Sequence, residues 1–227
     1  MDKPHRQIRS FVRRTGRITP AQRQAIESLW PQYGVGKPTG LLDLDSLFGR
    51  SAERVLEIGF GNGEVLASLA LSHRDKDYLG IEVHEPGVGA LLQAIDKCQL
   101  SNVRIIHDDA ADVVSNWLAP ASIHRVNLYF PDPWPKKRHH KRRIVQHGFV
   151  GELARVLIPG GILHMATDWA PYAEHMLEVG NSSDCFTNLS ETDGILPRPD
   201  DRPETKFERR GQRLGHDVAD LLFRRIE

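Results

Sequence analysis

Residues 54–72 read RVLEIGFGNGEVLASLALS: a short apolar run, a turn in which glycine recurs at 59, 61 and 63, and then Val, Leu and Ala at helical spacing. A strand that ends in such a turn and feeds a helix is the opening unit of an α/β sheet, which binds ligands at its carboxyl edge. The glycines permit backbone angles and a close ligand approach that side chains forbid, at the positive end of the helix. The dinucleotide fingerprint would place its third glycine where Glu64 stands, so the pattern here is G-x-G-x-G with Glu57 just ahead of it. A carboxylate at that point suits a cationic or hydroxylated ligand better than a pyrophosphate.

Working outward, the runs DYLGIEV, VRIIH, HRVNLYF and GILHMAT alternate with helix-length segments at 85–100, 110–118, 145–157 and 171–179. Regular alternation predicts βα units and a parallel sheet covered on both faces. Pro159-Gly160-Gly161 reads as a turn that stops one helix and admits the next strand. Upstream, Thr19-Pro20 reads as a cap and a first-turn proline, opening a helix through Ala25, Ile26 and Leu29 toward Trp30-Pro31. Residues 1–18 are basic, lack apolar periodicity and are predicted to form a flexible arm; with no linker in view, 19–227 form one domain.

Two further carboxylate sites follow the next strands. Glu82 could take both hydroxyls of a ribose, or cap the helix that starts at Glu85. Asp108-Asp109 could accept from an adenine amino group, or Asp109 could cap residues 110–118. Three carboxylate positions after successive strands, a glycine turn and no phosphate-binding lysine point to an adenosine ligand without a diphosphate, which is the chemistry of S-adenosylmethionine.

Residues 130–143 read FPDPWPKKRHHKRR. The prolines fix φ and bar the residues before them from the helical region, so Asp132 sits on a stiff loop just past a buried strand. Trp134 can stack on a base or cover the sheet end. The run that follows holds six Lys/Arg, and residues 1–24 hold seven, leaving 17 basic against 29 acidic residues elsewhere, although the whole chain has a net charge of +0. An acidic body with two basic segments fits localised contact with a polyanion. The alternative is a solvated basic surface.

Cys98 and Cys185 stand alone, which predicts a reducing, cytoplasmic setting rather than a disulfide framework. No apolar stretch reaches signal-peptide or membrane-spanning length. His139 and His140 are neighbours without metal-ligand spacing. A monomer and a homodimer would need the same core pattern, so oligomeric state is not legible.

LEIGFGNG with Glu57 resembles the class I S-adenosylmethionine-dependent methyltransferases, which have a Rossmann-like fold. Together with IRSFVRRTGRITPAQ, GIEVH, YFPDPWPKKRHHKRR, GGILHMATDW and RPETKFERRGQRLGHDVADLLF, the chain resembles one branch, the bacterial tRNA (guanine-N7-)-methyltransferases of the TrmB type. The resemblance implies a seven-stranded, mostly parallel sheet with the last strand antiparallel, a variable-loop guanine of tRNA as target, and no metal. It implies that Glu57, Gly59, Gly61, Gly63, Glu82, Asp109 and Asp132 serve the cofactor, with Asp132 also catalytic. Lys136, Asp168, Thr205, Lys206, Phe207 and Glu208 would serve the substrate, and Arg138, His139, His140, Lys141, Arg142 and Arg143 would touch RNA. On pattern alone, 205–208 is only a helix start and Asp168 a cap for the helix at Pro171. Two rivals stay open: an amino-directed nucleic-acid methyltransferase, suggested by the Pro-Asp-Pro-Trp turn, and a non-catalytic RNA-binding module on a relict nucleotide fold. The acidic stretch 191–201 is a candidate screen over the basic strip.

Overall fold

A computed structural model describes residues 10–11, 16–192, 194–205, 208 and 217–227. The anticipated alternation is present as β2 (Arg54–Ile58), α3 (Glu64–Ser72), β3 (Asp77–Ile81), α4 (Glu85–Cys98), β4 (Val103–Ile106), α5 (Ala110–Asn116), β5 (Ile123–Tyr129), α6 (His147–Val156), β6 (Leu157–Thr167) and α7 (Ala170–Asn181). Ahead of them lie α1 (Pro20–Tyr33), β1 (Gly34–Val35) and α2 (Leu44–Phe48), and β7 (Phe186–Asn188) and β8 (Ala219–Arg225) complete the sheet. Thr19 opens α1 with a reciprocal capping box: its hydroxyl accepts from the Gln22 N–H, and the Gln22 side chain accepts from the Thr19 N–H. The helix runs past Pro31 to Tyr33, because a proline in the last turn removes one amide bond and leaves the preceding turns intact.

The strand order is β1-β4-β3-β2-β5-β6-β8-β7. β8 runs antiparallel to both its neighbours, and the other pairings are parallel. Among the described residues the sheet has eight strands rather than seven, because Gly34–Val35 adds a two-residue strand beside β4. That segment is too short to carry a periodic signal. Pro159-Gly160-Gly161 also departs from expectation. β6 begins at Leu157, directly after α6, and the proline and glycines lie within it as an irregularity: Ile123 faces Leu157, but Arg125 already faces Ile162. Gly160 has φ +78, which lets the strand buckle and resume its register.

Strand alternation builds two apolar layers. Leu56, Ile58, Val126, Leu128, Leu163 and Met165 meet the helices α5, α6 and α7, while Val55, Tyr78, Val103 and Ile105 meet α1, α3 and α4. No helix among the described residues is long and apolar enough to cross a membrane.

Candidate active site

A cavity of about 410 Å³ opens at the carboxyl ends of β2, β3 and β5, a size suited to a small-molecule ligand. Its floor is Ile58, Gly59 and Gly61; Ile81, Glu82 and Val83 line one side, and Tyr129, Phe130, Pro131 and Asp132 the other. Gly59 and Gly61 have φ +72 and +58, and a Cβ built on either meets nothing within 4 Å. Their missing side chains are therefore open room for a ligand. Gly63 has a different use: it is the residue before α3, and a Cβ there would strike Leu91 at 2.7 Å, so it seats the turn against α4.

Glu57, at the end of β2, is only 4% exposed, and its Oε2 has no hydrogen-bond partner. Burial, with Glu82 close by, pushes its carboxyl up to about 8. Directly across the parallel register stands Asn127, also buried, whose Nδ2 is likewise unpartnered. An unused acceptor and an unused donor thus lie on one face of adjacent strands, beside the cavity floor. An amino-acid moiety, with its ammonium and carboxylate, would satisfy both, and S-adenosylmethionine carries one. The glycine cradle and this orphaned pair fit that cofactor.

Glu82 is occupied with holding the loops. Its Oε2 accepts from the Gly61 N–H at 2.8 Å, and its Oε1 from the N–H groups of Val83 and His84 at 2.7 and 2.9 Å. A carboxylate offers about four acceptor sites, so one ribose hydroxyl can be added without breaking this arrangement, rather than the two expected. Of the next pair, Asp109 caps α5, accepting from the Ala111 N–H at 3.0 Å, whereas Asp108 lines the cavity. Asp108 was expected only jointly with Asp109, and Asn127, buried opposite Glu57, was not expected at all. An amide in the middle of the apolar run HRVNLYF was the available signal for Asn127.

The Asp132 loop is bent at both ends. Phe130 and Trp134 adopt left-handed backbone conformations, with φ +51 and +45, unusual for aromatic residues and found where surrounding structure over-determines them. The Phe130 N–H donates to the Ala166 carbonyl at 2.8 Å. Trp134 donates its indole N–H to the Ser10 carbonyl at 3.1 Å, and the Arg142 guanidinium lies 4.9 Å from its ring centroid. Ser10 and Phe11 of the basic arm line the same cavity as Asp132.

The basic strip is a 3₁₀ helix, Lys137–Arg142, with Lys136 before it. Lys136, Lys137, Arg138 and Lys141 are exposed, and His139, His140 and Arg142 half-buried. Arg143 departs from the expected RNA contact. It is 3% exposed, its Nε donates to the Pro133 carbonyl at 2.9 Å, and its guanidinium stacks 4.7 Å from the Tyr172 centroid. It fastens the Asp132 loop to α7 and is unavailable to a phosphate.

Asp168 follows β6 half-buried and does not cap α7; Trp169 is the residue before that helix, and its N–H donates to the Thr167 hydroxyl. The remaining expected substrate residues divide. Lys206 and Phe207 lie outside the described residues. Thr205 and Glu208 are buried on the sheet face, where the Thr205 hydroxyl accepts from the Glu208 N–H at 2.9 Å and the Glu208 carboxylate binds Arg202 at 2.7 Å. Of the acidic residues after β7, Asp193 lies outside the described residues, and Asp201 pairs with Arg125 at 3.0 Å; between them the Leu196 N–H donates to the Asp220 carbonyl of β8. Among the described residues, no group of three or more His, Cys, Asp or Glu is placed to hold a metal ion.

The sequence profile of the family described as "Putative methyltransferase" matches residues 51–221. A tRNA (guanine-N(7)-)-methyltransferase from Alcanivorax borkumensis is 56% identical over 221 residues, covering 97% of this chain and 92% of the relative. One of the same name from Alkalilimnicola ehrlichii is 56% identical, covering 98% and 94%. Among solved structures, the 16S rRNA methyltransferase KamB superposes with a TM-score of 0.58 at 15% identity, covering 86% of this chain and 99% of that one, a likeness of fold. Such identity over nearly the full length of both chains establishes that the chain belongs to the tRNA (guanine-N(7)-)-methyltransferase family.

Proposed function

We propose that this chain transfers a methyl group from S-adenosyl-L-methionine to N7 of a guanine in the variable loop of tRNA, giving 7-methylguanosine. The observation that carries the reading is the position of Asp132: one carboxylate, on a loop bent at Phe130 and Trp134, shared between the glycine-floored cavity and the cationic strip that begins at Lys136. When bound, S-adenosylmethionine supplies an electrophilic methyl on a sulfonium. Glu57 and Asn127 bind its amino-acid end, Glu82 one ribose hydroxyl, and Asp108 the adenine amino group.

Guanine N7 carries an in-plane lone pair and no proton, so attack needs no general base. As the C–N bond to N7 forms, the S–CH3 bond breaks with its electron pair going to sulfur, neutral S-adenosylhomocysteine leaves, and the positive charge passes to the purine, where Asp132 at the mouth of the cavity stabilises it. Lys136 and Asp168 hold the substrate, Asp168 by accepting from guanine N–H groups. Arg138, His139, His140, Lys141 and Arg142 contact phosphates, which position the RNA without reading its sequence. His139 is held below its usual range by partial desolvation and by Arg138, Arg142, Lys136 and Lys141 around it, so it enters an RNA complex neutral and can take up a proton against phosphate.

The test is methyl transfer from labelled S-adenosylmethionine to unmodified bulk tRNA, followed by nucleoside analysis. 7-Methylguanosine is the expected product. A methylated exocyclic amine would transfer the case to amino-directed chemistry, and cofactor binding without transfer to any tRNA would refute the proposal.

A further inference from the structure

Outside the cavity, a chain of buried and half-buried polar side chains crosses one face of the sheet beneath residues 198–205. Alternate positions of β5 put Arg125, Asn127 and Tyr129 on this face, with His164 from β6 and Asp220 from β8. Arg202 closes it from above. It is 2% exposed, its Nε and Nη2 donate to the two oxygens of Asp220 at 2.7 and 2.8 Å, and its Nη1 and Nη2 donate to the two oxygens of Glu208 at 2.7 and 3.2 Å. Asp220 also accepts from His164 Nε2 at 2.6 Å, and His164 Nδ1 accepts from the Tyr129 hydroxyl at 3.0 Å and from Arg125 Nη2 at 2.8 Å.

One tautomer is compatible with every link, Tyr129 and Arg125 sharing the single Nδ1 lone pair. A neutral imidazole with its proton on Nε2 donates to Asp220 and presents a lone pair to Tyr129 and Arg125. Desolvation, opposed by Asp220 and assisted by Arg125 and Arg202, holds His164 below its usual range, consistent with that form. With His164 neutral, Arg202, Arg125 and Arg198 balance Glu208, Asp220 and Asp201, so the cluster carries no net charge. The path ends at the cofactor cavity: Tyr129 and Phe130 line it, and the Arg202 guanidinium lies 5.8 and 6.0 Å from their ring centroids. Phe130 is the left-handed residue from which the Asp132 loop springs.

We propose that Arg202 is a positioning residue for methyl transfer, fixing residues 198–205 and Glu208 on the sheet and, through Asp220 and His164, fixing Tyr129 and Phe130 beneath the Asp132 loop. This rests on the function proposed above. Glu208, which family resemblance assigns to the substrate, acts in this arrangement by holding Arg202. A buried network of this kind is not retained for stability, since well-packed apolar residues serve as well; what it provides is one fixed geometry, and small misplacements at a reacting centre can cost about a hundredfold in rate.

The experiment compares wild type, Arg202→Lys, Glu208→Gln and the double variant in single-turnover methylation of tRNA at saturating cofactor, with S-adenosylhomocysteine affinity and thermal melting measured alongside. Lysine keeps the charge but cannot span two carboxylates as the guanidinium fork does. Expected is a single-turnover rate at least about tenfold lower in Arg202→Lys, a S-adenosylhomocysteine affinity within about threefold of wild type, and a double variant no slower than Arg202→Lys, as members of one unit behave. A folded Arg202→Lys with a wild-type rate would overturn the proposal, and so would losses that multiply, which would make Glu208 an independent substrate ligand. Should Arg202→Lys not fold, Asp220→Asn, which weakens the links to both Arg202 and His164 and is not among the cavity-lining residues, decides: a wild-type rate overturns the positioning role, and a slowed rate with unchanged S-adenosylhomocysteine affinity supports it. A wild-type chain that methylates no tRNA refutes the parent function instead, a result visible before any variant is made.

Discussion

Glu57 makes the unliganded protein less stable as pH rises, and replacing it with Gln removes that dependence. Its ordinary value is 4.5 and its value in the fold about 8, so between the two only the folded state holds the proton. The folded state is favoured at low pH and loses about 1.4 kcal/mol per pH unit from this group as pH climbs toward its folded value. From about pH 6 to about pH 8 the loss integrates to about 2 kcal/mol, which for a chain of this size is about 4–8 °C in melting temperature. Differential scanning fluorimetry of wild type and Glu57→Gln across that range isolates the effect, because subtracting the two slopes cancels every other titrating group. Absolute stabilities are less direct: the Gln amide brings a buried donor beside the unpartnered Asn127 Nδ2, at a cost of about 1–3 kcal/mol. Parallel melting curves for the two proteins would refute the argument. The same group links pH to cofactor binding. A bound cation draws the proton from Glu57, so S-adenosylmethionine binding near neutral pH releases about one proton in wild type and none in Glu57→Gln, measurable by calorimetry in buffers of different ionisation enthalpy.

Asp132→Asn leaves S-adenosylmethionine binding within severalfold and cuts turnover strongly, measured as kcat against cofactor affinity; comparable turnover would remove Asp132 from the mechanism. Alanine at Lys136, Arg138 and Lys141 together lowers the slope of log affinity against log salt by about 2–3, read by filter binding of tRNA at several salt concentrations, with an unchanged slope as the contrary result. Deleting residues 1–17 weakens tRNA binding, and because Ser10 and Phe11 line the cavity, cofactor affinity falls with it; a deletion that leaves S-adenosylmethionine binding untouched would show that this lining contributes nothing in solution.

The alternating strands and helices, the α1 cap and the glycine turn were legible because each is a local pattern: burial on both faces makes a strand continuously apolar, and a cap needs only neighbours within one turn. Leu56 and Val126 announce a core wherever they stand. What escaped the sequence depends on distant partners. His164 and Asp220 look like interruptions in apolar runs until β8 inserts beside β6 and Arg202 folds over both. Arg143 is indistinguishable in sequence from the exposed cations beside it, and only the Pro133 carbonyl and the Tyr172 ring turn it inward. Asp108 and Asp109 likewise carry the same chemistry, and the start of α5 assigns one to the cap and leaves the other to the cavity.

Asp132 is exposed, which sets when it can act. A carboxylate in water stabilises a unit positive charge about 4 Å away by only about 1 kcal/mol, and by about four times that at the dielectric of a covered protein surface. On the role proposed for Asp132, the electrostatic effect therefore depends on the RNA sealing the cavity mouth, and a basic strip that bound the RNA would contribute to turnover by bringing that cover into place as well as to affinity. A loop free to move under the incoming RNA would lose the advantage. Against this, the prolines on either side of Asp132 limit its backbone, Phe130 is bonded to the end of β6, Trp134 to the arm, and Arg143 grips the Pro133 carbonyl. Left-handed geometry at two aromatic residues costs roughly 1–2 kcal/mol each, and those contacts together are of a size to offset it. The strain is thus the counterpart of pre-organisation: the carboxylate is already in place before the RNA excludes the water around it.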